Sequence, residues 1–212
     1  MEGFAEIRNF PRIMLPDGSM AYGGDQHWFT GKFARLAGCA SVSASNLAAF
    51  YGLTGAPDQI KDMGETEGKA VPLFTQAQYL KLQKHMFRYY MRPGFMGFPS
   101  IERYEENFLE YVSNNGGQAK SEICRGWKDP QEAFLFAHES IDRGQPLALL
   151  ILTHSDLELD EETWHWMTIT GYEKHGDGIL ISNYGRRQVL PGSSLFGTHP
   201  KNDVKMIRFY IR

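Results

Sequence analysis

Hydrophobic positions recur at helical spacing through the middle of the chain and change to strand patterns after about residue 145. Between Thr75 and Tyr90, Ala77, Leu80, Lys84 and Phe87 lie on one stripe, with Tyr79, Leu82 and Met86 beside it. The stretch Pro93-Gly94-Phe95-Met96-Gly97-Phe98-Pro99 interrupts this helix. A second runs from Ile101 to Val112 through Tyr104, Phe108 and Leu109, and Asn114-Asn115-Gly116-Gly117 closes it. Asp129 suits the N-cap and Pro130 the first position of a third helix, which reaches about Arg143 with Gly144 just beyond.

Leu147 to Leu152 is a continuous apolar run, as expected of a buried strand. His165–Thr170, Gly178–Ser182 and Val204–Ile211 also read as strands, and Arg186–Leu190 offers a pairing partner among them. Helices before and strands after imply an α+β fold, not an alternating parallel sheet. Residues 1–30, punctuated by Pro11, Pro16-Asp17-Gly18 and Gly23-Gly24, read as turns. The expected organisation is one domain over 1–212, with about 1–145 mainly helical and about 146–212 mainly β.

Composition narrows the functional classes. A length of 212 residues with 42% hydrophobic and 13% aromatic content suits an ordinary core. A net charge of −3 without a Lys/Arg cluster gives no reason to expect nucleic acid or an anionic membrane as partner. Met1-Glu2-Gly3-Phe4-Ala5-Glu6-Ile7 has neither the basic nor the apolar region of a secretory signal, and no apolar run approaches a bilayer span of roughly 20 residues, so a cytoplasmic protein is expected. In a reducing compartment Cys39 and Cys124 stay free. Neither His-Glu-x-x-His nor Cys-x-x-Cys occurs, nor a glycine-rich phosphate cradle, so no metal or cofactor is expected.

Cys39 carries the candidate chemistry. It opens Gly38-Cys39-Ala40-Ser41-Val42-Ser43-Ala44-Ser45, the start of a helix over about 39–51 whose small residues let neighbours approach closely. A cysteine at a helix N-terminus feels the positive end of the dipole, which favours thiolate. A thiolate attack also needs a base and an anchor for that base. His165 begins an alternating strand with Met167 and Ile169 on its face, which would aim it across at Cys39. Asn183 comes 18 residues later, near the end of the next strand, where its side-chain oxygen can fix the imidazole tautomer. Trp164 and Trp166 flank the base and can shield it from water. Asp177 is a second possible anchor, although Gly176-Asp177-Gly178 reads first as a turn. Cys124 lacks a matching base and reads as structural. The acidic stretch Ser155 to Glu162 reads first as a solvated loop, and otherwise as a lid or a rim selecting basic or amino-bearing substrates.

Four segments resemble the papain-like cysteine peptidases, in particular the bacterial branch that cuts double-glycine leader peptides: Gly38-Cys39, Gly144-Gln145-Pro146-Leu147, His165-Trp166-Met167-Thr168-Ile169-Thr170-Gly171-Tyr172 and Ser182-Asn183-Tyr184-Gly185. The order Cys, His, Asn matches that family. The resemblance implies a papain-like fold, a helical lobe facing a sheet lobe across a cleft, and a glutamine upstream of the cysteine that donates to the oxyanion. Gln26, the only glutamine before Cys39, is the candidate. It lies 13 residues upstream, farther than in papain-like enzymes generally, and Ala40-Ser41 stands where family members often have Gly-Pro. The implied function is a thiol-dependent hydrolase of peptide or amide bonds with Cys39, His165, Asn183 and Gln26 at its site. The alternatives are a Cys-His acyltransferase, in which an amine resolves the acyl-enzyme, and a non-catalytic binding module on the same fold.

Overall fold

The small residues after Cys39 build a helix buried on every side in the computed structural model, which describes residues 3–54, 63–66 and 69–212. The first half of the chain holds strands β1 (Phe4–Glu6), β2 (Arg12–Met14) and β3 (Met20–Tyr22), helices α1 (Lys32–Ala37) and α2 (Cys39–Phe50), strands β4 (Met63–Thr66) and β5 (Lys69–Thr75), and helices α3 (Gln76–His85) and α4 (Ile101–Asn114). Next in the chain are β6 (Ala119–Arg125), α5 (Pro130–Asp142), β7 (Leu147–Thr153), β8 (His165–Glu173), β9 (Gly178–Asn183), β10 (Arg186–Pro191), α6 (Gly192–Leu195) and β11 (Asp203–Ile211).

Local chemistry sets the helix starts. The Thr75 hydroxyl and the Gln78 side chain form a reciprocal capping box on α3. Ser100 accepts the Arg103 N–H on α4, and Asp129 accepts the Gln131 N–H on α5 with Pro130 in the first turn. α3 runs on into a π-helical turn, Met86–Tyr90. α2, like α1 after Gly31, has a glycine N-cap: Gly38 has no side chain to offer, so no side-chain cap occupies the first N–H groups of the helix that begins at Cys39.

The main sheet is antiparallel in the order β10-β9-β8-β7-β11-β6, and β1 pairs with β8. A smaller sheet, β3-β2-β5-β4, joins β2 to β5 in parallel. Side chains alternate across the main sheet, and both faces are covered. Ala148 and Leu150 of β7 join Leu47 of α2, Tyr79 of α3 and Tyr104 of α4 in one core. Leu147, Leu149 and Ile151 join Ala133 and Ala137 of α5 in the other. A strand buried on both faces has no polar side, which is why Leu147 to Leu152 reads as an unbroken apolar run.

The fold is α+β, with the helix that begins at Cys39 lying on an antiparallel sheet. Two expectations change. Residues 1–30 hold three short strands where the turn residues predict only turns. β6 comes from the half of the chain that reads as helical, and it forms the edge of the main sheet against β11.

Candidate active site

Cys39 is the first residue of α2, directly after Gly38, which ends α1. A Cβ at Gly38 would press on the Ala34 carbonyl and on the Phe29 ring, so glycine lets the two helices meet this closely. Burial pushes the Cys39 thiol above its ordinary range, and backbone N–H groups of Trp166, Ala40 and Cys39 itself draw it back only in part. The expected helix-dipole stabilisation of a thiolate is therefore outweighed, and the resting group is a neutral thiol.

His165 opens β8 and Asn183 closes β9. The register pairs Thr168 with Ser182, so Met167 falls opposite Asn183 and His165 one diagonal step away on the same face. The two side chains meet, with His165 Nε2 and Asn183 Oδ1 2.8 Å apart. Asn183 Nδ2 donates to Glu162 Oε2 at 2.9 Å and to Gln188 Oε1 at 3.0 Å. Both amide hydrogens are thereby committed, Oδ1 must be the atom that faces the imidazole, and Nε2 carries the proton. His165 Nδ1 remains as the basic nitrogen. Burial lowers the His165 pKa to about 4; the Asn183 bond and nearby Asp25 raise it, and His27 adds to the lowering.

Cys39, His165, Asn183 and Gln26 line one cavity, with room for about one water molecule. His165 does not reach the Cys39 cavity by way of a face shared with Met167 and Ile169, as the alternating pattern implies. Met167 and Ile169 pack into the core with α5, whereas Trp166 packs with α2 and Thr168 bonds to Asn46 of α2. His165 joins the Cys39 cavity at the first position of its strand, directly after Trp164, whose backbone is left-handed with φ 53°. Tyr184, directly after Asn183, is left-handed too, with φ 47°. These are the two non-glycine residues with positive φ among those described, and they bracket the His-Asn pair. The Tyr184 ring stacks on His165 and also contacts the ring of His27.

Gln26 lies in a 3-10 turn, Gln26–Trp28, and is buried. Its Nε2 donates to the Arg35 carbonyl at 2.9 Å, while its Oε1 is buried without a partner among the described residues. The second hydrogen on Nε2 is uncommitted. Just before Gln26, the pair Gly23-Gly24 docks the chain against α2. The Gly24 N–H donates to Asn46 Oδ1 at 2.9 Å, and a Cβ on Gly24 would lie 2.5 Å from Gln83 Nε2 and 2.7 Å from Tyr79 Cε1.

Asn46, which sequence reasoning did not single out, holds these segments together. Its Oδ1 accepts from Gly24 and from the Tyr79 hydroxyl at 2.6 Å, and its Nδ2 donates to Thr168 Oγ1 at 3.1 Å and Ser182 Oγ at 3.4 Å. One buried amide thus ties the Gln26 loop, α2, α3, β8 and β9. Its only sequence signal is an amide inside a helix, Cys39–Phe50, that is otherwise free of amide and charged side chains.

The acidic stretch is largely exposed but is not simply a solvated loop. It forms a 3-10 helix, Leu157–Glu162, with Leu159 buried, and its last residue turns inward to Asn183. Both cysteines are free. Cys124 lies partly buried on β6, where burial and then Glu132 push its thiol up to about 11. Asp177 accepts the Ser193 N–H at the start of α6, and the anchor bonded to His165 is Asn183. Among the described residues no group of three or more His, Cys, Asp and Glu side chains converges to hold a metal, and no helix is long and apolar enough to cross a membrane.

No protein-family model matches the chain, and no curated protein matches it. Among solved structures it is similar to a double glycine motif protease from an AMS/PCAT transporter, in complex with the leader peptide. That likeness has 12% sequence identity and a TM-score of 0.39, covering 80% of this chain and 83% of the other. So distant a likeness carries no weight for function, which has to be judged from the cavity around Cys39 and His165.

Proposed function

We propose that the protein is a thiol-dependent hydrolase of peptide or amide bonds, a single papain-like unit over residues 1–212 with Cys39 as nucleophile. The observation that carries this reading is the 2.8 Å bond from His165 to Asn183, which leaves Nδ1 basic in a cavity shared with Cys39. Neither the thiol nor the imidazole is charged at rest, so the base acts as the substrate carbonyl arrives. His165 Nδ1 takes the Cys39 proton while sulfur bonds to the carbonyl carbon. The uncommitted Gln26 hydrogen and the Cys39 N–H stabilise the oxyanion, and loss of one such donor costs roughly 10²–10³ in turnover. His165 then protonates the leaving amine as the C–N bond breaks and a thioester remains. Water, deprotonated by His165, attacks the thioester, and the acid leaves as the thiol is restored.

A second reading, a binding module without turnover, is favoured by the tightness of the cavity and the raised Cys39 pKa. Turnover of a peptide and amide substrate library separates the two. The hydrolase reading expects Cys39→Ala to abolish product release and Cys124→Ser to leave it near wild type. Release that survives Cys39→Ala, or is absent from the wild type across the library, overturns it.

A further inference from the structure

The last residue of the acidic stretch takes no part in the acyl transfer at Cys39, yet it sits one hydrogen bond behind the residue that orients the base. Glu162 Oε2 accepts from Asn183 Nδ2 at 2.9 Å, and Asn183 Oδ1 meets His165 Nε2 at 2.8 Å, so a line of bonded groups runs from a carboxylate to the imidazole. Glu162 is half-buried, and among the described residues no lysine or arginine forms an ion pair with it. A desolvated carboxylate left without a cation is costly, and such groups cluster at functional sites. Gln188 Oε1, at 3.0 Å from the same Nδ2, would suffice to fix which way the amide points. What Glu162 adds is charge.

We propose that Glu162 is a positioning residue that acts through Asn183, supplying the negative charge that stabilises the His165 imidazolium as Cys39 gives up its proton. This rests on the hydrolase reading, because it needs His165 to act as a base. The same logic governs a carboxylate behind a histidine base elsewhere, with one amide interposed here. Burial raises the Glu162 pKa, so its charge appears only above the ordinary carboxylate range. The other titratable groups that bear on His165 and Glu162 are His27 and Asp25 from the 3-10 turn before α1, Tyr184 after β9, and Glu161, and Cys39 on α2 lines the same cavity as His165.

The test is the pH dependence, from 4.5 to 8, of iodoacetamide alkylation at Cys39, resolved by peptide mass, in the wild type, Glu162→Gln, Gln188→Ala and His165→Ala. Glutamine is close to isosteric with glutamate and can accept the same bond, so the first variant removes charge and little else. We expect Glu162→Gln to react about tenfold more slowly than wild type at pH 7, the equivalent of one pKa unit at the base. The difference should vanish toward the acid end, where the wild-type carboxyl is itself neutral. Gln188→Ala should leave the ratio between pH 7 and pH 4.5 at its wild-type value. A Glu162→Gln profile parallel to wild type at every pH overturns the role of the charge. A His165→Ala profile identical to wild type overturns the hydrolase reading and this inference together. Should Glu162→Gln not fold, Glu162→Asp keeps the charge, and loss of the acid-dependent step in that variant contradicts the proposal equally.

Discussion

The Tyr184 ring lies stacked on His165, centroids 4.8 Å apart and planes 18° from parallel. The tyrosine reaches that position only because its backbone adopts φ 47°, a region that non-glycine residues seldom occupy. Such a conformation costs of the order of 1–3 kcal/mol and persists where the surroundings hold it. Here the ring covers one face of the imidazole, and burial is the dominant cause of the low His165 pKa.

Removing the cover should therefore release the base. In Tyr184→Ala the His165 pKa should rise from about 4 toward its ordinary 6.5, whereas Tyr184→Phe, which keeps the stack, should hold it low. Titration of the imidazole resonances by NMR reads this directly. An unchanged pKa in Tyr184→Ala would place the source of desolvation elsewhere.

Asn46 should be among the most sensitive polar residues of the chain. Asn46→Ala strips partners from the Gly24 N–H and the Tyr79 hydroxyl and empties the space between α2 and the sheet. An unsatisfied buried group costs about 1–3 kcal/mol, so the variant should lose several kcal/mol and loosen the Gln26 loop as well. Urea denaturation measures the loss, and a change within about 0.5 kcal/mol would mean that the network carries little energy.

Stability should also fall in mild acid, with His165 as a main cause. Its folded pKa of about 4 lies below the unfolded 6.5, so between these values the unfolded chain binds a proton that the folded chain does not. This contribution is complete above pH 6.5 and is lost as pH drops toward 4, by about 3 kcal/mol at most. His138, lowered first by burial, acts in the same direction, so the comparison must be with His165→Gln. The variant should lose less stability between pH 7 and pH 5 than wild type, as judged by urea midpoints.

Long elements with one dominant period were legible in the sequence. The helix from Cys39, those from Gln76, Ile101 and Pro130, and the strands from Leu147 onward begin within a residue or two of their expected positions. Cys39, His165, Asn183 and Gln26, singled out by residue type and position, lie around one cavity, which does not test what they do. Strands of three residues such as Phe4–Glu6 and Met20–Tyr22 are too short to display a period between turn residues. In β6 only Ala119, Ser121 and Ile123 alternate with the exposed Lys120 and Glu122, so its pattern is too polar to stand out. Burial was the other hidden quantity. A helix N-terminus alone argues for a thiolate, and only packing reveals that desolvation reverses the balance at Cys39. The role of Asn46 and the inward turn of Glu162 depend on contacts between residues more than 20 positions apart, which no local pattern encodes.

The central claim is that Cys39 and His165 work as a pair, and site-resolved alkylation of the two cysteines tests it most directly. His165→Ala should slow iodoacetamide alkylation of Cys39 at pH 6 at least about tenfold while leaving that of Cys124 unchanged. Alkylation of Cys39 that is indifferent to His165 would mean that the thiol is packing and that no catalytic pair exists.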